Sequence, residues 1–544
     1  MQSSSFLLAG AVSKLSSFFS VSYLFMFLPV SILLYFIAPK KLKKYVLLTE
    51  SILFFWLISG KLIVYLLFAV LIMHYCGIWL NSLQDEQRRA LSDLPREERK
   101  PRKKRFERKQ NAVVSFSVIL LIGTLLVLKY SSFFSTNINT LFDALKLDLR
   151  IPVPSYIMPV GISFFSLQAL SYIIDVRRGV VKADRNPVRL ALFLSFFPQI
   201  VEGPIIRYSQ TAMQLWNADR LSLRNLKLGM QRIMFGMIKK MIIADRLNPF
   251  VTNIFDNYTK FEGGMVAIGA IAYTIQLYMD FSGSMDVVIG TAQVFGISLP
   301  ENFRQPFFSK SISEFWTRWH ITLGTWFKDY IFLSITGSAK MKKLTSSARK
   351  KIGNHYGPLL AGSAALFCVW LANGLWHGAA WNYIFFGLYH FALILSGSLI
   401  KPLSRKFFQA IKIDPKHTAY QIFQMLRTGL LVVIGELFFR ANGFRNGWRM
   451  FCRMISDFHF GAVDGTLIRK LGLDMYDCII IAVTLLIVFA VSILHERGIS
   501  VRATVEKKNV AVRWGFCYAM MAYIIMFGAY GIGYAAVDPL YAQF

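Results

Sequence analysis

This sequence predicts an all-α, polytopic membrane protein, on three observations. Of its 544 residues, 55% are apolar and only 17% are charged, with a mean hydropathy of +0.46, more apolar than soluble domains average. Many apolar stretches approach the roughly 20 residues a helix needs to cross a bilayer. The lysines and arginines stand between those stretches, as the positive-inside rule requires. The composition excludes an ordinary soluble enzyme, a disordered chain and a disulfide-stapled secreted domain. The five cysteines are scattered without a CxxC, so they imply neither a disulfide framework nor a metal site. A formal charge of +31 suggests nucleic acid on a soluble protein. Here anionic lipid headgroups account for it, and no nucleic-acid partner is expected.

Taken in order, residues 19–38 form a first span, retained rather than cleaved because no small-residue processing site follows. Four lysines at positions 40, 41, 43 and 44 put its far end in the cytoplasm. Spans at 45–59 and 62–80 follow, hinged at Gly60. Residues 81–111 then read as a basic, solvated cytoplasmic loop containing RREERKPRKKRFERK. The chain crosses again at 112–128, runs through a polar outer loop at 131–154, and returns at 156–174. Residues 190–206 hold Pro198, Pro204 and Glu202, which predicts a broken or re-entrant segment, since irregular backbone at membrane depth must be buried in protein or line a cavity. Further apolar stretches lie at 229–243, 265–281, 287–297, 359–371, 381–400, 422–439, 479–494 and 512–534. The total is 11 to 13 membrane segments in a single domain over 1–544, with basic connections at 340–351 and 401–416.

The chain lacks a phosphate-binding GxxxxGK[ST], an HExxH and a GxSxG. The HxxxxD spacing of His459 and Asp464 sits in a loop and arises easily by chance. Polar groups inside apolar runs carry more weight, because burying them is costly. His377 lies in LANGLWHGAAW, apolar on both sides. Its imidazole is the least costly titratable base to place there, as a catalyst or as a core histidine bonded to a neighbouring helix. His320 closes the run SEFWTRWH, where Phe315, Trp316, Trp319, Leu323, Trp326 and Phe327 mark one face of a helix through residues 313–330. That pattern fits a helix lying along the interface with tryptophans at headgroup depth.

Five stretches, in order, resemble the membrane-bound O-acyltransferase family, in its bacterial polysaccharide-modifying branch. They are PVGISFFSLQ with SYIID (159–175), FPQIVEGPIIRY (197–208), QLYMDFSGSMD (276–286), ENFRQP running into WTRWHITLGTWFKDY (301–330), and WHGAAW (376–381). The recognisable core is 155–395. The resemblance implies a ring of helices around a central tunnel lined by two catalytic histidines, His377 as general base and His320 beside it. It also implies binding residues within the matched stretches: Trp316, Trp319, Asn302 and Asp280. Asn373, one helical turn before His377, is a candidate to hold its ring or to donate to a developing oxyanion.

The implied reaction moves an acyl group, acetyl by preference, from a cytosolic thioester to hydroxyls of an extracytoplasmic cell-envelope polysaccharide. The donor is acetyl-CoA or an acyl-charged carrier protein, with no bound cofactor and no metal. An extracytoplasmic acyltransferase or acceptor protein is the expected partner, and the bacterial cytoplasmic membrane the expected location. D-alanyl transfer to teichoic acid and, from a different class, polysaccharide or lipid transport are the alternatives. The tail VDPLYAQF (537–544) resembles the aromatic tails of cell-envelope acylation systems. This makes Tyr541 a candidate acyl relay, or else an interfacial anchor.

Overall fold

In a computed structural model, residues 17–410, 414, 416–461 and 465–530 are described. They are helical, with irregular connections and no strand among them. Eight helical stretches among them are long and apolar enough to cross a membrane, with a shorter apolar one at Ser22–Ile37. The chain is a multi-pass membrane protein. The sequence reading of 11 to 13 segments also counted short and broken pieces. Two compact units divide the chain: residues 1–230 with 288–300, and residues 231–287 with 301–544.

In the first unit, helix Lys43–Ser59 joins Ile63–Ser92 through a 3₁₀ turn at Gly60–Leu62. Gly60 has φ 53°, a conformation that residues with a Cβ rarely adopt. The basic stretch at 81–111 is not a loop. It completes helix Ile63–Ser92, turns at Pro95 and starts a 49-residue helix, Arg96–Ala144. Arginine, lysine and glutamate are good helix formers, and Lys103 pairs with Glu107 across one turn at 4.0 Å. The same helix absorbs half of the expected outer loop.

The broken segment at 190–206 has its expected form. Helix Pro187–Ser195 ends and irregular backbone follows, with Phe196, Phe197, Gln199 and Glu202 buried. Three of its N–H donors find partners inside the protein: Phe197 N donates to Ser51 Oγ at 3.1 Å, Gly203 N to Gln199 O at 2.8 Å, and Gln199 Nε2 to Phe193 O at 3.1 Å. Such pairing is what makes non-helical backbone tolerable away from water.

In the second unit, the apolar stretches at 265–281 and 287–297 belong to one helix, Gly263–Val294, of which residues to Val287 count here. The buried charges on this helix are paired. Asp280 meets Lys240 at 2.7 Å, and Lys240 also meets Asp245 at 2.6 Å. Asp286 meets Lys239 at 2.5 Å and Arg232 at 3.0 Å. Buried charges persist only when paired in this way. Helices Ala339–His377 and Trp381–Ala410 pack together, and Thr418–Arg440 packs on the latter.

Candidate active site

The site begins with a break in a helix. The tryptophan-rich segment read as one helix is two, Ile312–Arg318 and Ile321–Phe327. Its apolar face is turned into the protein rather than outward, with Phe315, Trp319, Leu323 and Trp326 buried. Trp319 is extended and His320 takes the left-handed conformation, φ 45° and ψ 51°, which costs a residue with a Cβ about 1–2 kcal/mol. The segment 301–305 enforces it: Ile321 N donates to Asn302 O at 3.0 Å, and Arg304 N to Arg318 O at 2.9 Å.

His320 is 2% exposed, with Nδ1 3.2 Å from Asn302 Oδ1. That oxygen also accepts from Thr322 N at 3.1 Å and Thr322 Oγ1 at 2.9 Å. A backbone N–H can only donate, so the amide atom facing it is oxygen. The proton of the histidine pair therefore sits on His320 Nδ1, and Nε2 keeps the basic lone pair. Burial pushes this imidazole well below its ordinary range, so it is neutral at physiological pH.

His377, also buried, closes helix Ala339–His377. Its place is fixed where that helix crosses Trp381–Ala410. A Cβ on Gly387 would stand 2.3 Å from Trp370 O, and one on Gly374 2.4 Å from Tyr383 O. Only glycine permits backbones so close. There His377 packs against Phe386 of the crossing helix and Phe439 of Thr418–Arg440, with ring centroids at 5.9 and 5.1 Å. Trp376 joins the two histidines, its ring 5.0 Å from His377 and 5.6 Å from His320. Phe281 covers the other side of His320 at 4.9 Å.

The remaining sequence candidates separate. Asn302 belongs to the site as the partner of His320. Asn373 is buried one turn before His377, and its Oδ1 has no hydrogen-bond partner among the described residues. It neither holds the His377 ring by a hydrogen bond nor is spent elsewhere. Trp319 is core, packed on Phe315, Phe303 and Tyr278 at 5.4, 5.1 and 5.8 Å. Asp280 is engaged by Lys240, one residue from the Phe281 that touches His320.

Trp316 leads to a residue the sequence reading passed over. Its Nε1 donates to Nδ1 of His390 at 3.2 Å, and His390 is fully buried among Phe386, Trp370 and Tyr389. His459 is 62% exposed and pairs with Asp457 at 2.9 Å. Asp464 and Tyr541 lie outside the described residues. Among the described residues no group of three histidine, cysteine, aspartate or glutamate side chains is placed to hold a metal ion.

The model of the membrane-bound O-acyltransferase family matches residues 162–349, a range that includes His320 and stops before His377. The chain is 32% identical over 442 residues to a probable alginate O-acetylase of Azotobacter vinelandii, covering 81% of this chain and 78% of that protein. It is 28% identical over 466 residues to the peptidoglycan O-acetyltransferase of Helicobacter pylori, covering 80% and 78%. With the teichoic acid D-alanyltransferase of Bacillus subtilis it shares 31% identity over 261 residues, 47% of this chain and 63% of that one.

Proposed function

Because this chain belongs to the membrane-bound O-acyltransferase family, we propose that it supplies acetyl groups for O-acylation of an extracytoplasmic cell-envelope polysaccharide. It is an O-acyltransferase; the acyl group, the polymer and the residue roles are our reading. Acetyl is preferred to D-alanyl because the alginate O-acetylase of Azotobacter vinelandii and the peptidoglycan O-acetyltransferase match along about four-fifths of the chain, and the D-alanyltransferase of Bacillus subtilis along 47%. The donor is a cytosolic thioester, acetyl-CoA or an acyl-charged carrier protein. The chain works in the cytoplasmic membrane with an extracytoplasmic acyltransferase or acceptor protein.

One observation carries the mechanism: two buried histidines flank a single tryptophan, Trp376. A hydroxyl is a poor nucleophile at neutral pH and needs a base to take its proton as it attacks. His377 takes that proton while the hydroxyl oxygen bonds to the thioester carbonyl carbon. The carbon–sulfur bond then breaks, and His377 returns the proton to the departing thiolate. His320, held by Asn302 at Nδ1, orients the acceptor hydroxyl. Asn373, whose amide is uncommitted at Oδ1, stands one turn from His377 to meet the substrate.

The test is His377→Ala in a complemented deletion strain, with polymer-bound ester measured by mass spectrometry. General-base help is worth about 10²–10⁴-fold, so ester should fall to background while the protein still purifies as a monodisperse species. Normal ester content in that variant would exclude His377 as the base.

A further inference from the structure

The helix Ala339–His377 is folded back on itself. Ile352 (φ −125°, ψ 15°) and Gly353 (φ 82°, ψ 176°) break it into pieces 339–351 and 354–377. The pieces touch just beyond the fold, where a Cβ on Gly357 would lie 2.5 Å from the Arg349 backbone. Further out they separate around a recess of about 420 Å³, closed on one side by Phe332. One wall is Pro358 and Ala361. The other carries Lys342, Ser346 and Arg349, spaced i, i+4 and i+7, so all three stand on one helix face.

The donors on that face are uncommitted. Lys342, Ser346 and Arg349 are exposed on that face, and among the described residues neither cation's side chain has a carboxylate or hydrogen-bond partner and the Ser346 hydroxyl makes no hydrogen bond. Thr345, beside them, has spent its hydroxyl proton on Met341 O at 2.8 Å. Piece 339–351 holds six lysines and arginines and no acid, so its charge is unbalanced locally. Two cations and one hydroxyl donor converging beside an apolar wall match a phosphate ester on an amphiphile: charge-assisted hydrogen bonds hold the phosphate, and the wall takes the neighbouring apolar part.

We propose that this recess is a phosphate-binding site, gripped by Lys342, Arg349 and Ser346, for a phosphate ester borne by an amphiphilic molecule. Two molecules present that chemistry here: an anionic phospholipid headgroup and the phosphates of a coenzyme A thioester. The site stands apart from the histidines and rests on its own geometry.

Binding to the purified full-length protein decides it. One arm measures phosphatidylglycerol retained per protein by native mass spectrometry; the other measures coenzyme A by calorimetry. Lys342→Gln with Arg349→Gln should weaken the relevant ligand at least tenfold, since it removes both cations that hold the phosphate. Loss in the lipid arm alone identifies a lipid site, and loss in the coenzyme A arm identifies a donor site. The control is Lys103→Gln with Lys104→Gln, in the other basic helix.

Unchanged binding of both ligands in the double variant overturns the proposal. So does an equal loss in the control, which means attraction to bulk charge. If the double variant is not monodisperse, Ser346→Ala decides, with weaker binding supporting the site and wild-type binding overturning it. Neither arm reads acyl transfer, so failure here leaves the role of His377 untouched.

Discussion

Asn302 determines which nitrogen of His320 is basic. Its Oδ1 already receives Thr322 N and Thr322 Oγ1 at 3.1 and 2.9 Å, so the 3.2 Å contact to His320 Nδ1 requires a proton on that nitrogen. The same residue, through its carbonyl oxygen and Ile321 N, holds His320 in its left-handed conformation. One asparagine thus sets both the tautomer and the direction of the ring.

The first prediction follows from that pair. Asn302→Ala should lower acyl transfer about ten- to hundredfold, the cost of 1–3 kcal/mol for a buried group left unpaired. Asn302→Asp keeps the acceptor but adds a charge. A carboxylate beside an imidazole stabilises the protonated form and raises its pKa. His320 would then be lost as a neutral ring on the acid side, where burial keeps the native one neutral. Transfer assayed in membrane vesicles across pH should show a new acid limb in Asn302→Asp, and a profile without one excludes the tautomer argument.

The second prediction tests the helix crossing. Gly387→Ala places a methyl carbon 2.3 Å from Trp370 O, a backbone atom that cannot rotate away. The crossing must open, at a cost of about 1–3 kcal/mol, and it carries His377 with it. The variant should melt several degrees lower in detergent and lose transfer at permissive temperature. An unchanged melting point would mean that the two helices can slide apart freely.

How much of this site was legible in the sequence depends on what kind of signal each residue left. His377 stood out because an imidazole in an apolar run is costly. His390 meets the same criterion within 381–400 and was missed for want of a flanking motif; its partner Trp316 lies 74 residues away. The bend at His320 was illegible, because the apolar spacing from Phe315 to Phe327 continues through it and neither glycine nor proline stands at the bend, Gly324 lying four residues beyond it. The bend comes from hydrogen bonds to the segment around Asn302, a tertiary effect that overrides periodicity. Gly263–Val294 read as two pieces for the opposite reason: Ser282, Gly283, Ser284 and Asp286 interrupt the apolar run in sequence, whereas in the fold Asp286 is neutralised by Arg232 and Lys239.

The third prediction concerns sidedness, which rests on the lysines at 40–44 and on the basic helices meeting at Pro95. In a cysteine-free background, Glu98→Cys should react with a membrane-impermeant thiol reagent only after cells are opened. Position 98 is exposed near the start of helix Arg96–Ala144, so access to the reagent is limited by the membrane alone. Labelling of intact cells would invert the orientation assigned to the chain.

The last prediction concerns Tyr541, beyond the described residues, and rests on chemistry rather than geometry. An acyl group that must leave a membrane enzyme for a polymer needs a carrier whose ester is both stable and transferable. A phenol, with a pKa of about 10, is a better leaving group than a sugar alkoxide, so transfer from a tyrosyl ester to a sugar hydroxyl runs downhill. The tail VDPLYAQF places Tyr541 and Phe544 where such a relay resembles those of related systems, whereas Leu540 and Ala542 stand where aromatic residues would be expected. Tyr541→Phe separates relay from anchor, since it keeps the ring that would sit at the interface and removes only the oxygen that would carry the ester. Polymer ester should fall to background in Tyr541→Phe while membrane insertion and protein level remain normal. Full ester content in that variant would reduce the tail to an aromatic anchor and send the acyl group directly from the His377 site to its acceptor.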